Sequence, residues 1–140
     1  MDIRSITPDF AVSPQIRVDD IETLKAEGFT HVICNRPVHE NIPGEEPETL
    51  RQAVEAAGLS FAENPVTAGQ LTLENIEAQS TSGKTLAYCA SGTRSAIVWA
   101  LAQAGKMPTP DILTAIAQAG FPMDQLGPQI DALASRAAQS

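Results

Sequence analysis

The sequence predicts an α/β domain built on a mostly parallel central sheet with helices on both faces, and three observations carry that expectation. Strand-like runs alternate with helical ones along most of the chain. The helical runs between successive strands are about ten residues long, as expected of a crossover that lays the next strand parallel to the last. The run SAIVWALAQAG (95–105) is apolar nearly all round, which suits a helix buried against a sheet.

The elements follow in order. In VDDIETLKAEG (18–28), Val18, Ile21 and Leu24 fall at helical spacing, with acids in the first turn and Gly28 as a stop. FTHVICN (29–35) is a strand. GEEPETLRQAVEAAGL (44–59) is a helix entered through Pro47, which a first turn tolerates, and ended near Gly58. SFAENPV (60–66) is a short strand that leaves through Pro65. TLENIEAQST (72–81) is a helix with Thr72 or the preceding turn as its cap, SGK (82–84) is a turn, and TLAYC (85–89) is a strand. A helix beginning near Ser95 completes the third strand–helix unit. TPDILTAIAQAG (109–120) and PMDQLGPQIDALASRAA (122–138) close the chain as surface helices, with Pro110 and Pro122 at the breaks.

Residues 1–140 are read as one domain, since 140 residues suit a single core and no repeat or low-complexity linker divides them. Hydrophobic residues at 43% and charged residues at 19% are ordinary for a folded soluble chain. The formal charge of -8 repels nucleic acid and anionic lipid, so neither is an expected partner. A bound anion then needs a local positive site, which draws attention to Arg94 and Arg36. The opening MDIRSITPDFAVSPQI lacks the basic and apolar segments of a secretory signal, and no run is long enough to span a membrane. A cytoplasmic location is expected, and in that reducing setting Cys34 and Cys89 are read as free thiols. Two cysteines and two histidines without zinc-site spacing give no metal centre, and no cofactor is expected.

Ligands of such sheets bind beyond the carboxyl ends of the strands. Three segments leave those ends: NRPVHENIPGEE (35–46), NPVTAGQ (64–70) and CASGTRS (89–95). In the last of them, a strand ending at Cys89 runs into a helix N-terminus through Ala90, Ser91, Gly92 and Thr93, whose amides can curl around an oxyanion. The small residues permit close approach of the backbone. Arg94 presents a planar, permanently charged fork to the same anion. A thiol beside a helix N-terminus and a guanidinium is held as thiolate at neutral pH, so Cys89 is read as a nucleophile rather than a core cysteine. The hydroxyl of Ser95 either caps the helix or hydrogen-bonds the sulfur as it becomes a leaving group.

Cys89-Ala-Ser-Gly92-Thr-Arg94-Ser95 resembles the CxxGxRS loop of rhodanese-type sulfurtransferases and is similar to the longer CxxGxxR loop of tyrosine and dual-specificity phosphatases. Over nearly the whole chain, through FAVSPQI, ICNRP, ENPVTAGQLT and CASGTRSAIVWAL, the sequence most resembles the DUF442 family, the phosphatase-like domain of beta-lactamase hydrolase-like proteins. The resemblance implies a dual-specificity-phosphatase-like fold and a phosphatase-like hydrolase. It also implies an association with metallo-β-lactamase-fold sulfur-handling proteins.

Three functions stay open. Hydrolysis of a phosphomonoester through a thiophosphate on Cys89 is the first, but four residues separate Cys89 from Arg94 where the phosphatases have five, and Tyr88 stands where they usually have histidine. Their aspartate general acid also has no counterpart in NPVTAGQLT (64–72). Glu63 and Glu74 flank that loop and read as solvated, so turnover is expected to be slow except with leaving groups that need no proton. The second is sulfur transfer, in which Cys89 accepts a sulfane sulfur as a persulfide and needs no acid. The third is a non-catalytic anion sensor. Either enzymatic reading takes a small anionic substrate. Arg36 adds positive potential at the mouth or pairs with Glu45 or Glu46. HENIPGEEPE (39–48) reads as a solvated crossover, His31 and His39 as structural or solvated, and Trp99 as core behind the loop.

Overall fold

A computed structural model describes residues 2–37, 40, 43–44, 46–67, 71–79 and 83–139. Five strands form one sheet in the order β1-β2-β5-β3-β4, with β1 Arg4–Thr7, β2 Phe10–Ser13, β3 His31–Cys34, β4 Ser60–Glu63 and β5 Thr85–Tyr88. β2, β5, β3 and β4 run parallel, while β1 is an antiparallel edge strand. The mostly parallel sheet expected from the sequence is therefore present. It carries a further hairpin, β1–β2, in the N-terminal stretch, where sequence reasoning placed no strand.

The central strand is β5. Its residues Thr85 to Tyr88 pair in register with Phe10 to Ser13 on one side and with His31 to Cys34 on the other. Enclosed by strands laterally and by helices above and below, it is buried throughout. The chain passes from β2 to β3, out to β4 and back to β5, so the order reverses at β5, and the carboxyl end of such a strand is where sheets of this kind bind their ligands.

Helices cover both faces. On one, α1 (Ile21–Ala26), preceded by a 3-10 turn at Val18–Asp20, and α2 (Pro47–Ala56) send Ile21, Leu24, Leu50 and Val54 against Val32, Leu86 and Tyr88. On the other, α4 (Thr93–Ala102) packs Ala96, Trp99 and Ala100 onto Phe10, Val12, Ile33 and Ala87. Trp99 stacks tilted on Phe10 with ring centroids 6.2 Å apart, so it lies in the core behind the loop as expected. α3 (Leu73–Ala78) begins at Thr72, whose hydroxyl accepts from the Asn75 amide while Asn75 Oδ1 accepts from the Thr72 amide, a reciprocal cap at the expected position. α5 (Thr109–Gln118) and α6 (Gly127–Gln139) lie outside α4, but Ile112, Ile116 and Ile130 are fully buried. They are amphipathic helices that complete the core. Among the described residues no helix is long and apolar enough to cross a membrane.

Candidate active site

Because the four parallel strands point the same way, the segments after Ser13, Cys34, Glu63 and Tyr88 all leave from one edge of the sheet. Sequence reasoning identified three of them and missed the segment after β2. That segment supports the cysteine loop directly: the Cys89 amide donates to the Ser13 carbonyl and the Gln15 amide to the Ala90 carbonyl, each at 3.4 Å.

Cys89 follows the last residue of β5 and is fully buried at the floor of the loop. Gly92 turns the chain with φ +93° and ψ -16°, a left-handed conformation suited to glycine, and this aims its N–H at Cys89 Sγ, 3.1 Å away. α4 begins one residue later at Thr93, two residues before the expected start near Ser95, so Arg94 and Ser95 lie in its first turn. Ala90 and Ser91 are exposed at the rim, and their amides make no hydrogen bond to another described residue. Ser91 Oγ donates to Thr93 Oγ1 at 3.0 Å, which fixes the outer turn. Ser95 Oγ is buried and without a hydrogen-bond partner among the described residues. A buried, unsatisfied hydroxyl is uncommon in a packed interior.

Arg94 is held firmly. Its Nη1 donates to Glu40 Oε2 at 2.9 Å and to the Val66 carbonyl at 2.7 Å, and its Nη2 donates to Glu40 Oε1 at 2.6 Å. The hydrogen bonds to Glu40 raise the guanidinium further above its ordinary pKa, with its interaction with Cys89 adding to the shift, so Arg94 stays charged. Glu40 falls in the stretch read as a solvated crossover, yet its side chain is only 26% exposed. Arg36 pairs with Glu40 through Nε at 3.8 Å and donates from Nη1 to Gln15 Oε1 at 2.9 Å. Among the described residues its partners are Glu40 and Gln15. Glu46 instead accepts from the Gly44 amide, and backbone hydrogen bonds hold its carboxyl below the ordinary range. Glu45 and His39 lie outside the described residues.

Beneath these charges sits a cluster of carboxamides that sequence reasoning also missed. Asn35 Nδ2 donates to the Asn64 carbonyl at 2.9 Å and to Gln79 Oε1 at 3.0 Å, and Gln79 Nε2 donates back to Asn35 Oδ1 at 2.8 Å and to the Ser95 carbonyl at 3.3 Å. Asn64 Nδ2 donates to Gln79 Oε1 at 2.9 Å, and Asn75 Nδ2 to Asn64 Oδ1 at 2.8 Å. Asn35, Asn64 and Gln79 are buried. The cluster joins the segments after β3 and β4 to α3 and to the first turn of α4. The Val66 amide also donates to the Asn35 carbonyl at 2.9 Å, which places the Val66 carbonyl that Arg94 uses.

The remaining candidates lie elsewhere. Glu63 is ion-paired with Arg51 at 3.0 Å, and Glu74 is exposed in the first turn of α3. His31 is at the amino end of β3, opposite the loop edge, with Nδ1 2.7 Å from Thr30 Oγ1. Cys34 is buried in the face opposite α4; its Sγ donates to the Arg36 carbonyl at 3.4 Å, and burial raises its pKa. Burial and the neighbouring Cys34 likewise push the Tyr88 phenol up.

Residues 2–106 match the family described as "Beta-lactamase hydrolase-like protein, phosphatase-like domain". The chain belongs to that family. A beta-lactamase hydrolase-like protein of Xylella fastidiosa is 32% identical over 110 residues, covering 74% of this chain and 25% of that protein. The chain thus spans about a quarter of the length of the curated relatives it matches. Among solved structures, a proposed phosphatase from Neisseria meningitidis aligns with TM-score 0.80 and 28% identity, over 95% of this chain and 99% of that one. The core catalytic domain of a PP-IP phosphatase from S. cerevisiae shares the fold, with TM-score 0.65 at 12% identity over 99% of this chain and 93% of that one. The fold is that of the tyrosine and dual-specificity phosphatases, and the family is phosphatase-like.

Proposed function

We propose that this chain is a cysteine-dependent hydrolase of phosphomonoesters. The reading rests above all on the Gly92 N–H directed at Cys89 Sγ inside a loop whose rim amides are open and whose arginine is fixed in place. The thiolate attacks phosphorus, the bond from phosphorus to the ester oxygen breaks, and a thiophosphate forms on Cys89. The amides of Ala90 and Ser91, joined by that of Thr93 once it leaves Ser91 Oγ 3.4 Å away, hold the non-bridging oxygens together with Arg94 as charge builds on them. Water then attacks phosphorus, the phosphorus–sulfur bond breaks, and Ser95 Oγ donates a hydrogen bond to the departing thiolate. A buried donor without another partner suits that role. Glu63 is paired to Arg51 and Glu74 is exposed, and Glu40, the described carboxylate at the loop, is engaged by Arg94, so the leaving oxygen takes its proton from water and good leaving groups react fastest.

The same observation keeps sulfur transfer as a second reading, because accepting a sulfane sulfur onto Cys89 requires no proton donor. Partnership with a metallo-β-lactamase-fold protein, which the family resemblance implies, is compatible with either reading. One experiment separates them. Cys89→Ser abolishes all turnover. The parent releases phosphate from nitrophenyl phosphate, with rates falling steeply toward alkyl phosphates. Thiocyanate formed from thiosulfate and cyanide without phosphate release would replace phosphoryl transfer by sulfur transfer. Silence in both assays would leave an anion-binding module.

A further inference from the structure

Gly92 is packed tightly around its α-carbon. A Cβ added there would lie 3.4 Å from the carbonyl carbon and oxygen of Ser13 and 3.3 Å from Phe121 Cζ. The tip of the Phe121 ring therefore fills the place where any other residue would carry its side chain. Ser13 belongs to the floor of the loop, since its carbonyl accepts from the Cys89 amide at 3.4 Å. Phe121 comes from outside both the sheet and the loop, in the segment after α5 and beyond the residues 2–106 that carry the family match.

The stretch AQAGFP (117–122) delivers that ring. Gly120 takes φ +103°, its N–H donates to the Ala117 carbonyl at 3.0 Å, and the Phe121 N–H donates to the Ile116 carbonyl at 2.8 Å. These two bonds close the end of α5 on a left-handed glycine, and such a cap folds the apolar residue after the glycine back over the last turn. Pro122 follows and cannot continue the helix. Ile112 and Ile116 of α5 are fully buried, Arg4 Nη1 donates to the Ala119 carbonyl at 3.4 Å, and Phe121 packs on the core cluster that holds Ile116 and Trp99. The cap is thus tied both to the core and to β1.

Two bonds depend on how Gly92 is oriented: its N–H donates to Cys89 Sγ at 3.1 Å, and its carbonyl accepts from the Ala96 amide at 3.0 Å to open α4. With φ +93° and no side chain of its own, Gly92 relies on its neighbours to stay in place. We propose that Phe121 is a positioning residue whose ring wedges the Gly92 turn against the Ser13 carbonyl and so keeps the Gly92 N–H on the Cys89 sulfur. This rests on the reading of Cys89 as the nucleophile, and it applies to phosphoryl and to sulfur transfer alike. The ring has no polar group and acts on the sulfur only through Gly92. It also makes the capped end of α5, a helix outside α4, a working part of the loop.

The test follows the Gly92 amide itself, by NMR-detected hydrogen exchange, together with the rate at which iodoacetamide alkylates Cys89 in the folded protein. Phe121→Ala should speed exchange of the Gly92 N–H by roughly tenfold and slow alkylation of Cys89 several-fold. Phe121→Leu keeps apolar bulk but not the reach of Cζ, and both of its rates should fall between those of the parent and Phe121→Ala. Met123→Ala is the control: Met123 is buried in the same core cluster and the same connecting segment, so its loss should lower the melting temperature while the Gly92 amide and Cys89 keep their parent rates. Gly92→Ala should lower the melting temperature less in a Phe121→Ala background than in the parent, because the added methyl then enters space that the ring has left. Parent rates in Phe121→Ala, equal effects of Phe121→Ala and Met123→Ala, or strictly additive losses in the Gly92 pair would each overturn the proposal. If Phe121→Ala does not fold, Phe121→Leu carries the same comparisons. Exchange is read without turnover or alkylation, so a parent whose Cys89 is inert would defeat the nucleophile reading while the Gly92 amide still decides the role of Phe121.

Discussion

Gly92→Ala separates the two demands the cysteine loop makes on this position. The backbone sits at φ +93°, and a Cβ there would lie 3.3 Å from Phe121 Cζ and 3.4 Å from the carbonyl carbon and oxygen of Ser13. The left-handed conformation costs an alanine about 1–2 kcal/mol, and the reduced freedom of the unfolded chain returns about 0.4–1 kcal/mol of that. The contacts add to the cost, because the Phe121 ring can shift by a few tenths of an ångström but the Ser13 backbone is paired with Tyr88 of β5. A net loss of about 1–3 kcal/mol is expected. With an unfolding entropy of about 2.1 cal/mol/K per residue over 140 residues, that lowers Tm by roughly 3–10 °C. Gly58→Ala is the control: its φ is +87° and an added Cβ would have nothing within 4 Å, so it reports the backbone cost alone. The functional readout is the rate at which iodoacetamide alkylates Cys89 in the folded protein, which should fall in Gly92→Ala as the amide turns away from Sγ and stay unchanged in Gly58→Ala. Equal melting points for the two variants, with Cys89 alkylating at the parent rate in both, would refute the idea that the left-handed turn aims that amide.

Three further outcomes follow from buried groups. An unfolded thiol ionises near pH ~8.5, whereas burial raises the pKa of Cys34 in the folded chain, so above that pH the unfolded state binds fewer protons and stability falls as pH rises toward the folded value. Cys34→Ala should flatten that fall in urea-unfolding series between about pH 7.5 and 9.5, and unchanged slopes would mean that Cys34 ionises as freely folded as unfolded. Ser95→Ala removes a hydroxyl that has no partner, so stability should change by less than about 1 kcal/mol, while nitrophenyl phosphate should give a normal first turnover followed by a steady rate lowered by roughly tenfold or more; equal slowing of both phases would place Ser95 in the first step. Gln79→Leu strips partners from Asn35 and Asn64 and should cost about 2–4 kcal/mol in urea unfolding, and a neutral outcome would show that water replaces the carboxamide.

What could be read from the sequence was what is local. The loop from Cys89 to Ser95 is contiguous, its small residues sit between an apolar strand and an apolar helix, and each chemical group in it follows from its neighbours. β3, β4 and β5 were legible for the same reason, since helical runs flank each of them. The hairpin was not: β1 and β2 are four residues each, RSIT and FAVS, and β2 owes its burial to pairing in register with β5, more than seventy residues further on. Glu40 shows the limit most clearly. Its stretch is polar, acidic and interrupted by Pro43 and Gly44, which is what a solvated crossover looks like, and the arginine that draws it inward is 54 positions away.

The carboxamides explain how such an assembly is kept compatible with an anion-binding loop. The strand ends beneath the loop leave backbone donors and acceptors that must be satisfied in a buried space. Carboxylates in those places would supply acceptors only, and their charge would oppose both the thiolate and an incoming oxyanion in a chain whose formal charge is already -8. Asn35, Asn64, Asn75 and Gln79 supply donors and acceptors together without charge, and each uses both kinds. The formal charges that the described site residues bring to the rim are then those of Arg94, Arg36 and Glu40, a net positive local balance within an acidic protein. Amide side chains in loops read in sequence as turn formers or solvated faces. Here their value comes from being neutral where a charge would oppose the ligand.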